Sequence, residues 1–167
     1  MKNRMIRWVL PLLGVAVIGA GAAMAATAAT HSAGTVSLAK SSKYGMVLVS
    51  STGHTLYRYT PDSKGHNTCS GSCATYWPAY MVKGTAKPTA GSGASASLLG
   101  TIKHGKGLQV TYAGYPLYNY VGDTKAGTSN GEGKDKTWYV VNTKGQLVKK
   151  AVSSSGGTTT SKGSTWG

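Results

Sequence analysis
Two stretches of this chain match each other 61 residues apart, over about 30 positions and without a gap. Gly53-His54-Thr55-Leu56-Tyr57-Arg58-Tyr59-Thr60-Pro61-Asp62 aligns with Gly114-Tyr115-Pro116-Leu117-Tyr118-Asn119-Tyr120-Val121-Gly122-Asp123. At the same offset Val49 meets Val110, Lys64 meets Lys125 and Trp77 meets Trp138. A fixed offset is the mark of a duplicated structural unit, so the fold must be built from two similar halves. The chain has only four carboxylates, and two of them, Asp62 and Asp123, hold matching places.

The local signals inside the repeat are for strands. Met46 to Val49 runs to a Thr52-Gly53 turn and returns through His54 to Thr60. Leu108 to Tyr112 turns at Ala113-Gly114 and returns through Tyr115 to Val121, and Trp138 to Val141 turns over Asn142 to Gly145 and returns to Val148. Each is a short β-rich run, a glycine turn and a second run, which is the hairpin pattern. Trp77 to Val82 and Leu98 to Lys103 are further strand candidates, and Gly84 to Ser97 reads mostly as a loop between the halves. No window outside the N-terminus has an apolar period of 3.6. The expected fold is all-β, with two hairpin-containing repeats, about 46–82 and 107–141, packed with approximate twofold symmetry. All ten tyrosines fall between Tyr44 and Tyr139, and there is no Phe. Tyrosine packs as an aromatic but needs a polar place for its hydroxyl, which suits a small domain with a thin core.

The ends read differently. Lys2, Arg4 and Arg7 precede an apolar run from Trp8 to Ala20 and a small-x-small pattern, Ala23-Met24-Ala25. This is the layout of a secretory signal peptide, residues 1–25, with an uncleaved anchor as the alternative. No later segment is apolar enough to cross a membrane. Residues 26–42 read as a linker, 43–150 as the two-repeat domain and 151–167, rich in Ser, Thr and Gly, as a disordered tail.

Export places the chain in an oxidising compartment, where Cys69 and Cys73, the only two cysteines, are expected to form a disulfide. So small a loop contributes only about 2 kcal/mol in the chain-entropy picture, so its role is to fix a local turn. Without Lys2, Arg4 and Arg7, fifteen basic residues face four acidic ones, a balance of +11. Only Arg58 among them is arginine, and the lysines are scattered from Lys40 to Lys162. That argues against sequence-specific nucleic-acid binding, which favours clustered arginine forks, and for anionic cell-envelope polymers or lipid headgroups as partners.

On a strand alternate residues share a face, so Tyr57 and Tyr59 point one way and Leu56 and Arg58 the other. Tyr118 and Tyr120 repeat this against Leu117 and Asn119. In each copy the Asp comes three residues after the second Tyr, beyond Pro61 or Gly122, where the strand has ended. The motif residues Tyr57, Tyr59, Asp62, Trp77, Tyr118, Tyr120, Asp123 and Trp138 have two readings. In one the tyrosines pack and each Asp caps a turn. In the other they form a ligand or ion site.

The combination of Tyr57-Arg58-Tyr59-Thr60-Pro61-Asp62 with Cys69-Ser70-Gly71-Ser72-Cys73-Ala74-Thr75-Tyr76-Trp77-Pro78 resembles the bacterial secreted-repeat lipoproteins with a Yx(FWY)xxD motif. The second copy, Tyr118 to Asp123 with Trp138, lacks the cysteine pair. The resemblance covers about residues 44 to 141 and implies export and a repeat structure. That family has no known function, so the resemblance implies no reaction. This chain has no cysteine near residue 25 to carry a lipid.

No catalytic arrangement stands out. There is no Gly-x-Ser-x-Gly elbow, no phosphate-binding glycine loop and no histidine-rich zinc signature. Paired carboxylates of the glycosidase kind would have to be Asp62 and Asp123. The expected function is that of an exported, non-catalytic cell-envelope protein without a resident cofactor. One alternative is a copper or haem binding redox protein using His54, His66, His104 or the tyrosines. Another is a weak polysaccharide-binding module with Tyr and Trp platforms.

Overall fold
The computed structural model describes residues 34–152. The expected signal peptide, linker residues 26–33 and tail residues 153–167 lie outside the described residues. Among the described residues the architecture is mostly strands. They are β1 (Thr35–Ser41), β2 (Gly45–Val49), β3 (Tyr57–Tyr59), β4 (Thr89–Ala90), β5 (Leu99–His104), β6 (Gly107–Tyr112), β7 (Tyr115–Pro116) and β8 (Trp138–Val140). One short helix, α1 (Ser72–Tyr76), interrupts them. β1 lies between β2 and β4, β6 between β5 and β7, and β3 pairs with β8. No described helix is long and apolar enough to cross a membrane.

Two features correct the sequence reading. Residues 35–41, assigned above to the linker, form β1, which pairs antiparallel with β2 and fully buries Val36. Each repeat therefore opens with a hairpin, β1–β2 or β5–β6. The second correction concerns register. Leu38 pairs with Leu48 in the first hairpin and Thr101 with Val110 in the second. Leu56 N–H donates to Leu48 O, and Leu117 N–H to Val110 O. The structural counterpart of Val110 is thus Leu48, not Val49. The first repeat carries one extra residue in each of its two turns, so the gapless offset holds only from the second turn onward. An alignment without gaps cannot see β1 as the partner of β5.

The matched turn glycines explain the second turn. Gly53 has φ 80 and Gly114 φ 85, a left-handed conformation that costs a glycine nothing but strains most other residues. Trp77 to Val82, expected as a strand, forms no strand of its own but bridges Ala79 to Tyr118 and Met81 to Gln109, with Tyr80 N–H donating to Leu117 O and Val82 N–H to Leu108 O. Pro78 has no N–H to give a ladder, while its counterpart Tyr139 sits inside β8. The helix α1 was not foreseen. It is five residues long, and no apolar period marks it. The loop between the halves holds β4, which runs parallel to β1.

The halves join around Tyr57 and Tyr118. Tyr57 N–H donates to Tyr118 O at 2.9 Å and Tyr118 N–H to Tyr57 O at 3.0 Å. A pair that exchanges equivalent bonds lies on an approximate twofold axis. From there each Tyr-x-Tyr strand runs against the tryptophan segment of the other repeat. Arg58 pairs with Tyr139 in the β3–β8 ladder, and Thr60 N–H donates to Thr137 O at 2.9 Å. In mirror fashion Asn119 N–H donates to Pro78 O at 2.9 Å and Val121 N–H to Tyr76 O at 3.1 Å. Strand alternation sends Leu56 and Leu117 into one buried cluster with Val36, Leu48, Val110 and Tyr112. It sends Tyr57 and Tyr118 into a second, with Val47, Val49, Cys69, Trp77, Trp138 and Val140. Neither repeat closes its own aromatic core.

Candidate functional site
The buried tyrosines meet the matched carboxylates across the axis. Tyr57 OH donates to Asp123 Oδ2 at 2.6 Å, and Tyr118 OH to Asp62 Oδ2 at 2.6 Å. The other oxygen of each Asp accepts from a turn. Asp62 Oδ1 takes Thr68 N–H at 2.7 Å and Thr68 Oγ1–H at 2.8 Å, and Asp123 Oδ1 takes Asn130 N–H at 2.7 Å. Both carboxylates are buried. Burial, and after it the Asp123 carboxylate, push the Tyr57 hydroxyl far above the usual tyrosine range, and burial with Asp62 does the same to Tyr118. Each tyrosine therefore stays a hydrogen-bond donor at any ordinary pH. A buried carboxylate needs such donors, because an unpaired one is costly to keep out of water.

Around this pair the aromatic rings form a row. Trp77 and Trp138 stack at 3.9 Å with 4° between their planes. Tyr120 lies 4.3 Å from Trp77 and Tyr59 4.3 Å from Trp138. Each indole thus has one face on the other indole and one on a tyrosine. Tyr57 and Tyr118 meet the row edge-on, at 5.3 Å from Trp77 and 5.2 Å from Trp138. Edge-on and stacked contacts of this kind contribute about 0.5–1.5 kcal/mol each beyond burial. The tryptophan platforms expected for a sugar are therefore taken. Neither Trp77 nor Trp138 leaves a ring face free.

All eight motif residues meet in this one assembly. The cysteines join it as the disulfide Cys69–Cys73, with Cys69 buried against the aromatic cluster. The disulfide anchors the start of α1. In the second repeat the corresponding turn has no cysteine. There Gly131 packs so closely that a Cβ would lie 2.7 Å from Trp77 Cη2 and 2.9 Å from Tyr57 Cζ. The histidines stay apart. His54 Nδ1 bonds Thr52 Oγ1 at 3.0 Å, His66 is exposed, and His104 Nδ1 bonds the Asn67 side chain. Among the described residues no group of three His, Cys, Asp or Glu gathers that could hold a metal ion. Arg58 is held across the repeats, its guanidinium 3.3 Å above the Tyr115 ring and its Nη1 donating to Gly145 O at 2.6 Å.

Beside the ring row opens a cleft of about 530 Å³. Tyr59, Trp77, Tyr120 and Trp138 border it, α1 contributes Ser72, Cys73 and Tyr76, and the second repeat contributes Lys134, Asp135 and Thr137. Tyr76 is 60% exposed. Lys134 Nζ lies 5.5 Å from the Tyr120 ring centre. Asp135 and Lys136 both take left-handed φ, 53 and 57, which is strained for residues with side chains.

Sequence reasoning passed over Tyr76, Lys134 and Asp135. The signal that could have found them is the contrast between repeats, since the lysine–aspartate turn stands where the first copy has its cysteine pair. It also passed over Glu132. This half-buried carboxylate accepts Val140 N–H at 2.6 Å, and burial pushes it up to about 7.

A family described as a secreted repeat of unknown function matches this chain at residues 38–81 and again at 100–142. Those segments begin in β1 and β5 and end beyond each tryptophan, so the matched units are the two halves seen in the fold. No curated protein and no solved structure matches the chain.

Proposed function
The chain belongs to this family of exported repeats, and on that premise we propose that it is a non-catalytic cell-envelope module that holds an anionic envelope polymer. In this reading the Tyr–Asp motif is the frame and not the ligand site. One observation carries it: every oxygen of Asp62 and Asp123 already accepts a hydrogen bond from within the domain, and both groups are buried. A glycosidase pair must present its carboxylates to a bond and a water, which these do not. The lysine excess supports an anionic partner at a cell surface. The copper or haem alternative draws no support from the geometry, because the cysteines are joined to each other and the three histidines do not converge.

The test is retention of the purified protein on an insoluble polyuronate and on a neutral glucan of similar size. The reading predicts retention on the first that falls as salt is added, and little on the second. Equal retention on both, or none on either, overturns it.

A further inference from the structure
The approximate symmetry separates frame from elaboration. Residues shared by the two repeats, the Tyr-x-Tyr strands, the Asp turns and the tryptophans, hold the halves together. The cleft beside the ring row is where the repeats differ. On one side stands the disulfide-anchored α1 with Tyr76, and on the other the strained turn with Lys134 and Asp135. Left-handed conformation at two successive non-glycine residues costs free energy, and it sets this turn over the cleft.

Three chemistries meet there. The first is an aromatic surface. Tyr76 is the exposed ring of the group and stacks on none of the others among the described residues, so its face can take the C–H face of a sugar. The second is a cation, Lys134, which lines the cleft with its Nζ 5.5 Å from the Tyr120 ring centre. The third is an acceptor, the exposed Asp135 carboxylate, which repels an anion but accepts hydroxyl donors. An inorganic anion could use the cation alone. A neutral sugar would leave Lys134 unmatched. A ring with a C–H face, hydroxyls and a carboxylate uses all three.

We propose that this cleft is a binding site for the acidic sugar unit of an envelope glycan, with its carboxylate toward Lys134, its hydroxyls toward Asp135 and its apolar face on Tyr76. The proposal rests on the anionic-polymer reading above and gives that reading a location. The cleft volume falls in the range of small-ligand sites.

The test is titration of the purified protein with a short oligogalacturonate, a neutral galacto-oligosaccharide of the same length and inorganic phosphate. Binding is read by calorimetry. The oligouronate should bind, the neutral oligomer at least about fivefold more weakly, and phosphate not measurably. Lys134→Ala should weaken the oligouronate by about fivefold while leaving the neutral oligomer unchanged, and Tyr76→Ala should weaken both. Lys64→Ala, in a separate groove formed with Leu98, Leu99 and Gly114, should change neither. All three side chains are exposed, so thermal melts should match the parent. If the parent is retained on polyuronate but Lys134→Ala and Tyr76→Ala bind like it, the cleft is not the site, although the polymer reading survives. Equal binding of charged and neutral oligomers, or binding of phosphate as tight as that of the oligouronate, also overturns the assignment. Loss of all polyuronate retention in the parent overturns both.

Discussion

Tyr57 donates its hydroxyl to Asp123 at 2.6 Å, although 66 residues separate them and each belongs to a different repeat. Tyr118 and Asp62 make the mirror bond at the same distance. The tyrosine and aspartate of one motif copy therefore do not serve each other. They serve the opposite copy, and with the crossed strand pairing this makes the two repeats a reciprocal lock.

Removing a member of the lock should cost stability. Asp62→Ala and Asp123→Ala each strand a buried tyrosine hydroxyl and a turn N–H, an expected loss of about 1–3 kcal/mol. Tyr57→Phe and Tyr118→Phe remove one bond and keep the ring packing, so they should lose less. Thermal melts check the order. Aspartate variants that melt at or above the parent temperature would instead mark the motif as a strained ligand site.

Gly131 is a second point of close fit. An alanine Cβ there meets Trp77 and Tyr57 at distances no relaxed structure tolerates. Both rings are buried and held by stacking, so neither can swing aside. Gly131→Ala should destabilise by about 1–3 kcal/mol, the usual cost of overpacking, and should alter near-ultraviolet circular dichroism from the ring row. A variant with parent stability and spectrum would show that the row is loose.

Glu132 gives the domain a pH dependence. Its ordinary value is 4.5 and burial raises it to about 7, so the folded state holds the proton more tightly than the unfolded chain. Below about 4.5 both states are protonated and nothing is lost. Between that value and about 7 the unfolded chain ionises first, and stability falls as pH rises. Allowing for partial exposure, the loss should be of order 1 kcal/mol, roughly 4 °C for a domain of this size. Glu132→Gln keeps an oxygen for Val140 N–H and should flatten this part of the profile, raising the melting temperature at pH 7.5 but not at pH 4. Parent and variant with parallel profiles would remove Glu132 as the cause.

Much of the frame was legible because it is local or repeated. The hairpin of β6 and β7 followed from Leu108 to Tyr112, a glycine turn and a returning run. The alternation of Leu56 with Tyr57 placed them on opposite faces, and they enter different clusters. The matched Asp62 and Asp123 pointed to the junction between halves. What the chain did not disclose is non-local. β1 has no matched partner at the fixed offset, because each turn of the first repeat is one residue longer. The partner of Tyr57 could equally have been Asp62, five residues away, and only the crossed pairing of β3 with β8 decides for Asp123. The cleft residues Tyr76, Lys134 and Asp135 carry no repeat signal because they are what the repeats do not share.

The crossed lock is tested most directly by double-mutant cycles on folding stability. One cycle combines Tyr57→Phe with Asp123→Ala, and the other combines Tyr57→Phe with Asp62→Ala. The lock predicts a coupling of about 0.5–3 kcal/mol in the first cycle and near-additive losses, within roughly 0.5 kcal/mol, in the second. Coupling confined to Tyr57 and Asp62, or absent from Tyr57 and Asp123, would contradict it.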